Sequence, residues 1–195
     1  TSRELHRPLS ETHDSPTDGA ARECVKLSGV TQVDFALAPG EELAALDIAP
    51  SVVFVFENLE TMSAMPELPG AVVVHGGGSA APRLGHIPWI HSARVIDWRD
   101  LDSDGFAILH ALRSSCSEVT SALMDEDTLL AYRGLWVPEP KAAGGTYSTL
   151  TADEQRALER IRAEGNVRLE QERIAWEFAP AQLVMAAAAT RLAAR

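Results

Sequence analysis

Residues 52–60 read VVFVFENLE. Five apolar residues in a row, Val52 to Phe56, leave no strand face for water. Such a run reads as a strand buried on both faces, the kind a parallel sheet contains. The pattern returns in AVVVHGGG and again in ARVIDW, each followed by a segment that reads as turn or helix. Strands alternating with helices imply a doubly wound, parallel α/β sheet flanked by helices. Open sheets of this kind place their sites outside the C-terminal ends of the strands. Glu57, the first polar residue after Phe56, is therefore a candidate catalytic group or simply the first polar residue past a strand.

The rest of the chain fits the same plan. Residues 1–22 are rich in Pro, Ser, Thr, Asp and Gly without periodicity and read as a linker or tail, which leaves 23–195 as one domain. VTQVDFAL, 30–37, has the alternation of a half-buried edge strand. PGEELAALDIAP and ETMSAMPELPG read as short helices or turns, and DSDGFAILHALRSS repeats Phe106, Ile108, Leu109 and Leu112 at helical spacing. EVTSALM suits a fourth strand and DEDTLLAYRGL a short helix. Thr151 and Glu154 form a capping box for the helix ending near Gly165. VRLEQERIAWEF reads as a polar helix or extended turn. APAQLVMAAAATRLAAR closes the chain as a helical extension with Pro180 near its start.

Composition narrows the function. The formal net charge is −11. That opposes a domain gripping nucleic acid through a broad basic surface. It leaves room for an enzyme whose metal-binding carboxylates supply local negative charge. No stretch of about 18 apolar residues suits a membrane span, and the polar start has no signal-peptide core. Cys24 and Cys116 stand in no metal spacing, which fits free thiols in a cytoplasmic protein. The chain begins without Met, so it reads as a piece of a longer one.

The third strand runs into WRDLDSDG, residues 98–105. Asp100 and Asp102 are two apart, and in extended backbone such side chains point to one side. Two carboxylates can then share a hard cation such as Mg²⁺ or Mn²⁺, which keeps waters and needs only one or two carboxylates plus a substrate phosphate. Asp104 adds a third oxygen or caps the following helix. Acidic loops at helix starts are common as plain caps. A calcium hand would need a Glu about six residues past the Gly, where Ala111 stands. His75 precedes Gly76, Gly77 and Gly78. These glycines lack the Lys-Ser/Thr of a nucleotide-binding loop, and a tight turn is the plainer reading. Trp89, Trp98, Trp136 and Trp176 suit core or interface positions, and Asp125 a helix cap.

The combination ENLETM, GGG, DLDSDGFAILHALRS, LMDEDTLL, LTADEQRALERI and RLEQERI resembles the C-terminal, toprim-like domain of the JetD family. This is the nuclease subunit of Wadjet anti-plasmid defence, related to the A subunit of topoisomerase VI. The resemblance covers roughly residues 25 to 178, and LEQERI is its most distinctive piece. It departs at Arg99, where the family often has Gly; Arg99 either contacts phosphate or folds away. The resemblance implies a toprim-like fold, cleavage of double-stranded plasmid DNA presented by an SMC-type motor complex, and a bacterial, cytoplasmic setting. It also implies an N-terminal DNA-binding region beyond this chain, through which a homodimer would form.

On that reading Asp100 and Asp102 are metal ligands, and Glu57 is either another ligand or the general acid/base. Asp104, Glu170 and Glu172 are spare oxygens. The plainer account of the last two is a helix face paired with Arg168 and Arg173. Two rivals stand beside the endonuclease: a non-catalytic toprim-like docking module, and a topoisomerase VI or recombination-initiator type DNA-breaking subunit. Tyr132 and Tyr147 both follow the sheet and offer no candidate for a tyrosine nucleophile. Crowded ligand carboxylates cost stability without metal, so Asp102→Ala is expected to keep the fold, with room for a rise in melting temperature. Should the domain grip DNA after all, Arg83, Arg94, Arg99 and Arg113 would carry the contacts.

Overall fold

The structure is a computed structural model that describes residues 22–26 and 35–193. Three strands form where the apolar runs demand: β3 (Val52–Phe56), β4 (Ala71–His75) and β5 (Arg94–Trp98). All five residues of β3 are buried. Two further strands precede them, β1 (Arg22–Lys26) and β2 (Phe35–Pro39), and β6 (Val119–Ser121) follows. The sheet runs β2-β1-β4-β3-β5-β6. β4, β3, β5 and β6 are mutually parallel, while β1 pairs antiparallel with both β2 and β4. The expected edge strand is therefore present as β2, although residues 30–34 of that expectation lie outside the described residues, as do residues 1–21 of the expected linker. β1 answers to no sequence expectation: RECVK has a single aliphatic residue and stands beside a polar tail.

Alternation along the strands builds two cores. Val52, Phe54, Phe56, Val73, Ile96 and Trp98 face one layer. That layer holds α2 (Leu59–Ala64), α5 (Glu126–Ala131), α6 (Ala152–Ala163) and α7 (Ala179–Ala193). Val53, Val55, Val72, Val74 and Val95 face the other, covered by α1 (Gly40–Ala44), the 3-10 segment Gly78–His86 and α3 (Pro88–His91). The long helix α4 (Ser103–Ser115) gives Phe106 and Leu109 to the first core and Leu112 to the second. Cys116 follows it as a buried free thiol. Among the described residues no helix is long and apolar enough to cross a membrane.

Strand order fixes where a site can form. From β3 the chain crosses to β4 on one side, and from β4 it returns past β3 to β5 on the other. The direction of winding reverses between β3 and β5, and their last residues, Phe56 and Trp98, sit side by side. At such a reversal the loops leave in opposite directions and open a crevice at the C-terminal edge. Glu57 and the DLD loop both lie there.

Of the two expectations for VRLEQERI, the segment after α6, the polar helix fails and the extended turn holds. Val167–Arg168 form β8, which pairs antiparallel with β7 (Val137–Pro138), and Gln171–Arg173 form one 3-10 turn. The reason lies in alternation: Leu169 and Gln171 are buried two residues apart, with solvent-facing neighbours, a period of two that a helix cannot serve.

Candidate functional site

Three loops meet at the crevice. The first leaves β3 through Glu57 to Asn58, which caps α2 by accepting the Thr61 N–H. The second leaves β5 through Arg99, Asp100 and Leu101 to Asp102, the N-cap of α4. The third is Leu169–Ile174. It lies antiparallel to the second: the Leu101 N–H donates to the Leu169 carbonyl at 2.9 Å and the Leu169 N–H returns the bond at 3.1 Å.

Gln171 ties the three together. Its backbone N–H donates to Asp100 Oδ1 at 2.7 Å, and its side-chain Oε1 accepts the Asn58 N–H at 3.1 Å. It is 1 % exposed. Glu172 accepts from Asn58 Nδ2 at 2.6 Å, and Glu170 accepts from Arg173 Nε at 2.7 Å. Glu172 is thus a brace on the first loop. Arg168, expected to pair with Glu170 or Glu172, instead donates through Nε to Asp102 Oδ2 at 2.6 Å, with Asp100 Oδ2 3.9 Å away.

Glu57, Asp100 and Asp102 all stand at this edge, but they are committed to different degrees. Asp102 has both oxygens engaged, Oδ1 by the Gly105 N–H at 2.7 Å and Oδ2 by Arg168. Asp100 has one oxygen on the Gln171 N–H. Among the described residues, Glu57 Oε2 accepts only a long 3.4 Å contact from the Asp100 N–H. Burial, and next the charge of Asp100, push the Glu57 carboxyl up to about 7, against the pull of Arg99. Burial also raises Asp100, with the Asp102 charge adding to it, and burial raises Asp102. Asp104 is exposed on the first turn of α4.

The motif glycine has a steric reason. A Cβ on Gly105 would sit 2.3 Å from the Asp100 carbonyl oxygen, so only glycine lets α4 start this close beneath the loop. Gly76 is similar: a Cβ there would meet Val55 Cγ1 at 2.5 Å. The triple glycine is thus a tight turn against β3. His75 Nε2 lies 2.8 Å from the Glu57 carbonyl oxygen. A carbonyl only accepts, so that nitrogen carries the proton and the ring steadies the Glu57 backbone.

Arg99 folds away. It is fully buried, with Nε and Nη2 on the two Asp97 oxygens at 2.8 and 2.9 Å and Nη1 on the Gly76 carbonyl at 2.8 Å. A bidentate pair of this kind needs both partners once water is gone. Arg99 therefore braces the crevice floor, and its phosphate-contact alternative fails. Tyr132 accepts the Ala175 N–H, and Tyr147 donates to the Gly144 carbonyl. Of the four tryptophans, Trp89 and Trp98 are buried. Glu139 drew no attention in the sequence. It is buried and accepts from the Ser103 hydroxyl at 2.7 Å, fixing the start of α4.

Among the described residues, no group of three or more His, Cys, Asp or Glu side chains is arranged to hold a metal ion. The donor set still fits a hard divalent cation of the two-carboxylate kind. Glu57 and Asp100 offer oxygen donors, and their carboxyls are raised chiefly by burial, with neighbouring carboxylate charge adding to it. Asp102 could join only by giving up Arg168.

Comparison with curated proteins found no match. A family model described as Wadjet protein JetD, C-terminal, matches residues 14–183. That match takes in the sheet, the crevice and all three loops that build it, and on this evidence the chain belongs to the JetD C-terminal family of Wadjet proteins.

Proposed function

We propose that this chain is the toprim-like nuclease domain of a Wadjet complex, a divalent-metal-dependent endonuclease acting on double-stranded plasmid DNA. The observation that carries the reading is the pairing of Glu57 with Asp100 at the winding reversal between β3 and β5, with the Glu57 carboxyl pushed up to about 7 by burial and by Asp100. Glu57 and Asp100 would hold Mg²⁺ or Mn²⁺, with Asp102 behind them and Asp104 outside the immediate site. When bound, such a cation polarises a phosphodiester, lowers the pKa of a water and stabilises the leaving oxygen.

The chain's own residues do the positioning. The Asp100 N–H and the His75 ring hold the Glu57 side chain and backbone, and Gln171 holds Asp100 against the first loop. On this reading, the carboxylate oxygen of Glu57 that is not on the cation would take a proton from an attacking water.

Membership of the family implies association with the other Wadjet subunits. We take those partners to be the SMC-type motor that presents the DNA, in a bacterial cytoplasm, with dimerisation through an N-terminal region of the protein. A second reading, a non-catalytic docking module, is favoured by two observations: Arg168 already neutralises Asp102, and among the described residues no three-ligand group is assembled. A plasmid-nicking assay of the full-length protein with Mg²⁺ or Mn²⁺, beside Glu57→Gln, separates the two. Cation-dependent nicking lost in the variant supports the nuclease; an intact plasmid under every condition supports the docking module.

A further inference from the structure

We propose that Arg168 serves two partners in turn: it holds the aspartates of the crevice when no cation is bound, and it grips the scissile phosphodiester when one is. The inference rests on the nuclease reading above and assigns that site a phosphate-contacting residue.

Three observations carry it. Only one of the guanidinium nitrogens is used. Nε bonds Asp102 and faces Asp100, and among the described residues the two terminal NH₂ groups make no hydrogen bond. The side chain is 28 % exposed, so a ligand entering from solvent can reach it. And the backbone is anchored from both sides, by the β7–β8 pairing and by the double bond between Leu101 and Leu169. Arg168 is therefore carried by the same loop that positions Asp100. The other arginines of the edge are spent, Arg99 on buried Asp97 and Arg173 on Glu170.

The chemistry follows. A phosphodiester is an anion, and Glu57, Asp100 and Asp102 repel it. A guanidinium presents parallel N–H donors that match phosphate oxygens two at a time. While the aspartates are uncompensated, they hold Arg168 through Nε. With a divalent cation on Asp100, the aspartates need Arg168 less, and its free fork turns to the phosphate. Arg168 thus competes with the cation in the resting protein and cooperates with it on DNA.

That double role predicts effects of opposite sign. The test uses the full-length protein with its Wadjet partner subunits, as wild type, Arg168→Gln and Arg168→Lys. Mn²⁺ binding is titrated on the protein without DNA, and plasmid cleavage is followed under single turnover at saturating Mn²⁺. Arg168→Gln is expected to bind Mn²⁺ about threefold to tenfold more tightly, because a competing charge is gone, and to cut on the order of 10²-fold more slowly. Arg168→Lys keeps the charge and loses the fork, so it should bind Mn²⁺ like wild type and cut at an intermediate rate. Simple damage to the loop would weaken both properties together, and that result would overturn the proposal. So would Arg168→Gln cutting at the wild-type rate. If Arg168→Gln does not fold, the Lys variant decides: undiminished cutting refutes the fork. Wild-type protein that binds Mn²⁺ yet leaves plasmid intact overturns the nuclease reading itself, and the phosphate contact with it.

Discussion

Replacing Glu57 by Gln should stabilise the cation-free protein at alkaline pH and barely change it at acid pH. The carboxyl titrates at about 7 in the folded chain against 4.5 for an ordinary Glu, because it is buried and faces Asp100. A carboxyl raised in this way binds its proton more tightly folded than unfolded. Its contribution is full below about pH 4.5, is lost as pH rises toward 7, and stays lost above that. The full shift is worth roughly 3 kcal/mol between protonation states, and solvent screening of this partly exposed group reduces it to about 1–2 kcal/mol. Gln keeps an oxygen for the Asp100 N–H and carries no charge, so the variant escapes that loss.

Urea unfolding in chelator at pH 5 and pH 8 measures the difference. Glu57→Gln should exceed wild type by about 1–2 kcal/mol at pH 8 and by a fraction of that at pH 5. Adding Mg²⁺ should close or invert the gap at pH 8, because a ligand that binds only the folded wild type stabilises it by mass action. A gap of the same size at both pH values would refute the reasoning, as would a variant less stable than wild type at pH 8 without cation.

Asp102→Ala should lower stability by about 1–2 kcal/mol in thermal unfolding, the loss of a helix cap; this reverses the rise that carboxylate crowding suggested, because Asp102 caps α4 and pairs with Arg168. Arg99→Ala leaves Asp97 buried without its partner and should cost roughly 3–5 kcal/mol in chemical denaturation, most of it recovered when Asp97 is also replaced by Asn. Duplex DNA should bind this chain weakly in a fluorescence titration at physiological salt, since the net charge is −11 and Arg94, Arg99 and Arg113 are all engaged internally; tight, salt-resistant binding would show a basic surface that the charge balance hides.

The strands with continuous apolar runs were legible because a short, β-branched run bounded by turn residues suits a strand buried on both faces. Val52–Phe56 and Ala71–His75 needed no further signal. The placement of Glu57 and Asp100 at the strand ends was legible with them. What escaped depends on pairing rather than composition. β1 exists because β2 and β4 border it, and its own five residues say little. Arg168 and Gln171 lie more than sixty residues beyond the aspartates they contact, and the Leu101–Leu169 bridge and the β7–β8 pairing bring them near. Their signal was the two-residue alternation through Leu169 and Gln171, which a helical reading of LEQERI obscures. Asp102 was found for its carboxylate, while the cap expected of Asp104 falls to Asp102 as a second duty, and Asp104 sits in the first turn of the helix.

That second duty orders the site. Commitment falls steadily from α4 toward β3: Asp102 has both oxygens taken, Asp100 has one on a short bond, and Glu57 has a single long contact. A ligand carboxylate must shed its existing partners before it can serve a cation, so the cheapest ligands are those with least to lose. On the proposed nuclease reading, Glu57 and Asp100 would make the primary pair, and Asp102 would join only when Arg168 finds another anion. A phosphodiester would be that anion. Cation and DNA are then expected to bind with mutual reinforcement, each releasing a group that the other needs, so the affinity for Mn²⁺ should rise when a short duplex is present. Equal Mn²⁺ affinity with and without duplex would mean that Asp102 and Arg168 stay paired throughout and that the third carboxylate only starts the helix.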